Sequence, residues 1–217
     1  MANIMYFKDM IEFDYYFRNR ASKKIGEGTE GVCYVGNFDA LVYKKFTQRF
    51  TNMNYDISKI ITTDDIKLDS FAFPETLFVC NGELLGYTTR YIAPDYFNDR
   101  YTYSTDNLMR LDFQKLKVAY NLMREDLVHL SQKRIHIYDL AYNLMFDGRN
   151  LVAVDTCNYE RVNRSVYQEN IESLDYALKT LFDLWTRKDE RFQLDSSLEI
   201  DKYILTLERT VRKLRKY

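Results

Sequence analysis

Apolar positions follow two rhythms along the chain. Met10, Phe13, Tyr16 and Phe17 fall on one face at helical spacing, so the aromatic-rich first 24 residues predict a short amphipathic helix. From Lys24 to Phe46 the pattern becomes short β-prone runs. Val32–Val35 and Leu41–Phe46, joined by a turn at Gly36–Asp39, predict two antiparallel strands. A polar stretch with helical character continues to about Asp69. Thr76–Cys80 and Leu84–Thr89 then flank Asn81-Gly82, the dipeptide that favours the tight turn of a β-hairpin.

Pro94 marks a break, after which the period is helical. Leu108, Leu111, Leu116, Ala119, Tyr120, Met123, Leu127 and Leu130 predict one long amphipathic helix from about Asp106 to about Lys133. Asn143–Phe146 and Leu151–Val154 flank a turn at Asp147–Asn150 and read as a second short hairpin, with helices near 166–187 and 197–216. The expected architecture is α+β: a β-rich lobe over residues 1–92 and a mainly helical lobe over 93–217, with a ligand cleft where they meet.

Composition narrows the function classes. The 217 residues are 46% hydrophobic with only 7 Gly and 2 Pro, and no apolar run is long enough to cross a membrane, so a folded globular chain is expected. Lys and Arg number 31 against 32 Asp and Glu, a net charge of −1, which removes the long-range field behind general binding to nucleic acid or anionic membranes. Cys33, Cys80 and Cys157 are odd in number and far apart, forming neither a disulfide framework nor a zinc pair. Free thiols and the lack of a basic-then-apolar leader make the cytoplasm the expected compartment, although export without a cleaved signal leaves no such mark. The basic C-terminal end, Arg209, Arg212, Lys213, Arg215 and Lys216, is accounted for by a helix C-terminus.

The sharpest local motif is Gly26-Glu27-Gly28-Thr29-Glu30-Gly31. Glycines at this spacing let the backbone bend and bring its amides close to a phosphate, or simply make a turn. Because Val32–Val35 behind it is strand-like rather than helical, the run reads as a flap between two strands and not as a dinucleotide-binding turn. Lys44 lies in the next strand, and alternation puts it on one face with Val42 and Phe46 while Lys45 points outward. An ammonium under such a flap meets phosphates as a point charge. Downstream, Asp139, Asn143 and Asp155 offer two carboxylates and a carboxamide, oxygen donors suited to Mg²⁺ bridging phosphates. Taken singly, each is also an ordinary turn or cap residue.

In this order the motifs resemble the protein kinase superfamily, from about Lys24 to about Asp155. Gly26, Gly28 and Gly31 match its glycine-rich loop, with Glu27 inside the loop and Cys33 at the usual valine position. Val42-Tyr43-Lys44 looks like the strand ending in the phosphate-binding lysine. Thr89 and Tyr91 fall at the gatekeeper and the start of the hinge. Asp139, Asn143 and Asp155 look like the catalytic aspartate, the metal-binding asparagine and the aspartate of the Asp-Phe-Gly motif. An ungapped alignment from His136 puts Tyr138 at the aspartate position; Asp139 is preferred because a phenol does not take a proton as a carboxylate does. Between Thr47 and Pro74 there is no glutamate to pair with Lys44, leaving Asp56, Asp64 or Asp65 as substitutes. Thr156-Cys157 stands in place of Phe-Gly, and no Ala-Pro-Glu follows.

The resemblance implies a compact bilobal kinase-like fold and transfer of the ATP γ-phosphoryl group to a protein hydroxyl. Lys44 would hold the α and β phosphates, Asn143 and Asp155 would hold Mg²⁺, and Asp139 would orient the acceptor. Gly26, Glu27, Gly28, Gly31, Cys33, Val42, Thr89 and Tyr91 would line the ATP site. The partners implied are ATP and a protein substrate. A pseudokinase that binds nucleotide or a protein without transfer, and a related enzyme that uses a small-molecule acceptor or transfers AMP, stand as alternatives.

Overall fold

Among the described residues, six strands form one sheet in the order β1-β5-β6-β4-β3-β2, in a computed structural model that describes residues 3–47, 56–92, 105–187 and 189–216. These strands are β1 (Asn3–Phe7), β2 (Ala21–Glu27), β3 (Gly31–Gly36), β4 (Leu41–Phe46), β5 (Thr76–Cys80) and β6 (Glu83–Arg90). All neighbours are antiparallel except β1 and β5, which run parallel. Helices complete a mixed α+β chain that divides into two compact units, Met1–Ile92 with Asp155–Glu160, and Ala93–Val154 with Arg161–Tyr217. The segment Asp155–Glu160, expected in the helical part, thus belongs to the first unit. No described helix is long and apolar enough to cross a membrane.

The predicted hairpins are present. Asn81 and Gly82 both take positive φ, 51° and 82°, as the two-residue turn between β5 and β6 requires. Two strands were not legible. β1 occupies residues expected to begin the first helix, because its partner β5 lies some 70 residues downstream and leaves no local trace. β2 is exposed along nearly its whole length, so it carries no alternating apolar signal.

Helix α1 (Met10–Arg20) starts at Asp9, whose carboxylate accepts from the Glu12 amide at 2.9 Å while Glu12 accepts from the Lys8 amide at 2.7 Å. Phe13 and Phe17 are buried against the sheet, Tyr16 partly so. Met10, expected on that face, is 45% exposed because the helix presents only a narrow stripe to the sheet. Phe78 is the centre of this side: its ring lies 5.7–6.1 Å from those of Phe7, Phe13, Tyr16 and Tyr43. The opposite face packs Phe46, Ile60, Leu77, Val79, Leu84, Tyr87 and Cys157. A bulge in β6 separates the two sets. Phe78 pairs with Gly86 and Val79 with Leu84, so Leu85 turns toward α1 and Tyr87 toward the other face.

Helical character expected up to about Asp69 is limited, in the described part, to one 3-10 turn at Ile57–Lys59. There Asp65 takes hydrogen bonds from the amide and hydroxyl of Thr62, a local alternative to helical bonding. Residues 48–55 lie outside the described residues.

In the second unit the single long helix predicted before Lys133 is two, α2 (Thr105–Arg110) and α3 (Phe113–Gln132). The break falls at Asp112, whose side chain caps α3 by accepting from the Gln114 and Lys115 amides at 3.0 and 3.2 Å. Two short strands follow, β7 (Ile135–His136) and β8 (Leu144–Phe146), the latter forming the expected hairpin with β9 (Leu151–Ala153). Helices α4 (Tyr167–Thr186) and α5 (Ile200–Leu214) match their predicted spans. The basic end of α5 is partly spent inside the fold. Arg212 pairs with the buried Glu208, which also takes Lys117 of α3 at 2.7 Å, and Arg215 donates to the Met109 and Leu111 carbonyls at 2.8 Å each.

Because Phe78 has no accessible surface and touches four rings, Phe78→Ala is expected to lower unfolding free energy by about 3–5 kcal/mol in urea titration. Ile11→Ala on the exposed side of α1 should stay within about 0.5 kcal/mol.

Candidate functional site

Lys44 sits in the middle of β4, with Cys33 of β3 and Tyr87 of β6 directly across the ladder on either side. Only 4% of its surface is accessible, and a charge so buried needs partners. It has two. Its Nζ reaches the Glu30 Oε2 at 3.0 Å and forms a closer pair with the Asp155 Oδ1, which also accepts from the Tyr87 hydroxyl at 2.9 Å. Burial by itself pulls the ammonium's pKa down, but the Asp155 carboxylate and then the Glu30 carboxylate outweigh it and hold Lys44 above the ordinary lysine range. Burial, reinforced by Asp155, likewise raises the Tyr87 phenol well above its usual value. Lys44 is a permanent cation and Tyr87 a neutral donor.

The second carboxylate is none of Asp56, Asp64 and Asp65, the substitutes expected between residues 47 and 74. Asp56 spends its side chain on Ser58 and Lys59, Asp65 binds Thr62, and Asp64 is exposed. Glu30 takes the place instead, from inside the glycine motif. Lys45, expected to point outward, lies half-buried on the α1 side, bonded to Asp14 at 2.5 Å with its ammonium over the Phe13 and Phe17 rings.

The glycine run is the turn between β2 and β3, as the strand-like residues behind it predict. The Gly28 amide donates to the Gly31 carbonyl at 2.9 Å, and the Thr47 amide donates to the Glu30 carbonyl at 3.0 Å, tying the turn to the end of β4. The three glycines differ in what they require. A Cβ at Gly31 would stand 2.3 Å from the Lys45 carbonyl oxygen, whereas Gly26 and Gly28 are surrounded by open space. Glu27 is exposed and pairs with Lys24, so its side chain takes no part in the Lys44 network.

Asp155 is presented to Lys44 by a backbone in the left-handed region, φ 59° and ψ 47°, a conformation Asp tolerates better than most residues. The following residues hold it there. The Thr156 hydroxyl donates to the Ala72 carbonyl at 3.1 Å, Cys157 enters the apolar cluster beneath Tyr87, and Tyr159 packs edge-on against Phe71 and Phe73. Thr89 is buried and its hydroxyl donates to the Ala72 and Phe73 carbonyls, at 2.9 and 3.0 Å. Val42 and Cys33 are half-buried; Tyr91, also half-buried, donates its amide to the Ala40 carbonyl at 2.9 Å.

Asp139 and Asn143 belong to the second unit. Asp139 is exposed, with φ 51°, and opens a 3-10 turn at Leu140–Tyr142. The Asn143 Nδ2 donates to the Asp139 carbonyl at 2.9 Å, and the Asn143 carbonyl accepts from the Val154 amide at 2.8 Å. A residue the sequence reading missed, Asn170 of α4, is fully buried and fixes the approach to this turn. It accepts from the Ile137 amide at 3.1 Å and donates to the Ile135 carbonyl at 3.0 Å. His136 meets Glu169 at 3.2 Å and the edge of Tyr138 at 4.3 Å between centroids, a bracing position.

Among the described residues no group of three or more His, Cys, Asp or Glu side chains is arranged to hold a metal ion by itself. A side-chain oxygen is the kind of donor that suits a hard cation arriving on phosphates. The bonds named for Asp155 fall on its Oδ1, and Asn143 uses its side-chain nitrogen in its own turn, so each residue, in its own unit, keeps one side-chain oxygen. Mg²⁺ bound through one or two such oxygens plus phosphates is the usual arrangement. No protein-family model matches the chain, and no curated protein matches it.

Gly31→Ala is expected to cost about 1–3 kcal/mol of stability while Gly28→Ala stays much nearer neutral, as thermal unfolding of the two variants will read. Burial pushes the Cys157 thiol up to about 12 from 9.0, Lys44 opposing and Asp155 reinforcing. Since the raised value belongs to the folded state, this group leaves stability unchanged below about pH 9 and lowers it as pH climbs toward 12. A thiol reagent at pH 8 should therefore modify Cys157 only at the rate of unfolding, with Cys33 reacting first.

Proposed function

We propose that this chain is an atypical, compact protein kinase-like phosphotransferase that uses Mg²⁺ and ATP to phosphorylate a protein hydroxyl. The observation that carries the reading is the buried Lys44, charged and paired with Asp155 beneath a glycine turn. Lys44 binds and orients the α and β phosphates as a fixed point charge. Asp155 would hold the cation through its Oδ2, and the sequence resemblance gives Asn143 the role of a further ligand. When bound, Mg²⁺ neutralises charge on the phosphates, which is its share of the catalysis. Asp139, exposed and on a left-handed backbone, has the chemistry to orient an acceptor hydroxyl and take its proton. Gly26 and Gly28, with open space above them, let the turn lie close over the phosphates, while Val42 and Cys33 supply the half-buried surface for the base.

The pseudokinase reading keeps one specific support. Thr156 and Cys157, which stand in place of Phe-Gly, are both buried and locked to the first unit, so the segment after Asp155 has little freedom to rearrange. In that case nucleotide binds and no phosphate leaves.

Saturable thermal stabilisation by ATP with Mg²⁺ is expected, abolished by EDTA and by Asp155→Ala. Incubation with γ-labelled ATP should transfer label to protein, with Lys44→Ala slowing transfer by about 10²–10³-fold or more. Stabilisation without transfer selects the pseudokinase, and no stabilisation at millimolar ATP overturns both readings.

A further inference from the structure

Glu30 is not where a phosphate-binding loop needs a carboxylate. It lies in the glycine turn, its backbone carbonyl is held by the Thr47 amide, and its side chain reaches down to within 3.0 Å of the Lys44 Nζ. A phosphate oxygen that contacts Lys44 from under the turn competes with Glu30 for the same ammonium, whose named partners are Glu30 and Asp155. The cation there is already matched by two anions, Glu30 and Asp155, so the immediate cluster carries one positive and two negative charges. The two carboxylates differ in how they are secured. Asp155 accepts a second bond from Tyr87, and its segment is fixed by Thr156, Cys157 and Tyr159. Glu30 sits on a turn flanked by the exposed Gly28 and Thr29, and about a third of its side chain is accessible. Of the two, Glu30 is the partner that an incoming anion can displace.

We infer that Glu30 is a specificity-determining residue that competes with ligand phosphate for Lys44, so that the site admits polyphosphates carrying a divalent cation and rejects the same polyphosphates without one. The inference rests on the nucleotide-binding reading above and adds a selection rule to it. A metal-free triphosphate brings only negative charge to a cluster that already has a negative excess, and it competes with Glu30 for Lys44. A metal-bound triphosphate is still an anion, but its dication cancels part of that charge and lessens the repulsion from Glu30 and Asp155. Glu30→Gln removes the competing charge with almost no change in shape, and the backbone bond to Thr47 is retained.

The test is isothermal titration of wild type, Glu30→Gln and Glu30→Gln/Lys44→Met with ATP in EDTA, ATP in Mg²⁺ and inorganic tripolyphosphate in EDTA. Glu30→Ala replaces the Gln variant if that fails to fold. The expected result is that Glu30→Gln binds metal-free ATP and tripolyphosphate at least about tenfold more tightly than wild type, with a smaller gain for ATP in Mg²⁺ and loss of the gain in the double variant. If wild type and Glu30→Gln bind ATP in Mg²⁺ and show the same metal-free affinity, the selection rule is wrong while the nucleotide site stands. Weaker binding by Glu30→Gln overturns the rule too, since Glu30 then supports the lysine. If neither protein binds ATP under any condition, the nucleotide reading falls and takes the rule with it.

Discussion

One buried charge organises the first unit. An ammonium in the middle of a sheet, 4% exposed, destabilises the fold unless carboxylates meet it there, and the chain delivers two by different routes. Glu30 comes from the turn that opens β3, the strand next to β4, and Asp155 from a segment 111 residues downstream of Lys44. The second route has the larger consequence. To bring Asp155 in, the chain leaves the second unit after Val154, adds Asp155–Glu160 to the first, and returns. The left-handed backbone at Asp155, the Thr156 hydroxyl on Ala72 and the burial of Cys157 beside Tyr87 are the local devices that hold the crossing segment in place.

The sheet is built to serve the same end. A bulge at Leu85 shifts the parity of β6, so that Tyr87 falls on the Lys44 face and directly across from it. Without that extra residue the strand would alternate normally, and Tyr87 would point toward α1. Gly31 lets the first strand after the turn lie tight against the Lys45 backbone, which brings Glu30 within reach of Lys44. Lys45, one residue away, serves the other face by pairing with Asp14. Adjacent lysines of one strand thus have unrelated roles, set by the twofold alternation of the β-strand.

Much of this was readable in the sequence where the signal is local. The Asn81-Gly82 hairpin, the strand of Lys44, the glycine turn and the late helices follow from turn chemistry and periodicity within a few residues. What was not readable depends on distant pairing. β1 needs β5, β2 is nearly all exposed, and the bulge at Leu85 changes facing without changing composition. Glu30 stands within the glycine motif itself, whereas the resemblance implies a Lys44 partner in residues 47–74, where no glutamate exists. Asn170 gave no signal at all: a single amide in an amphipathic helix reads as surface until the carbonyl and amide it satisfies are seen.

Lys44 and Asp155 act as one unit whose charges are worth having only together. A double-mutant cycle of Lys44→Met and Asp155→Asn, read by urea unfolding at pH 7, tests it most directly. Each single substitution is expected to destabilise because it strands a buried charge, and the double variant to be more stable than the sum of the two by about 1–3 kcal/mol. Additive losses, with a coupling indistinguishable from zero, would contradict it.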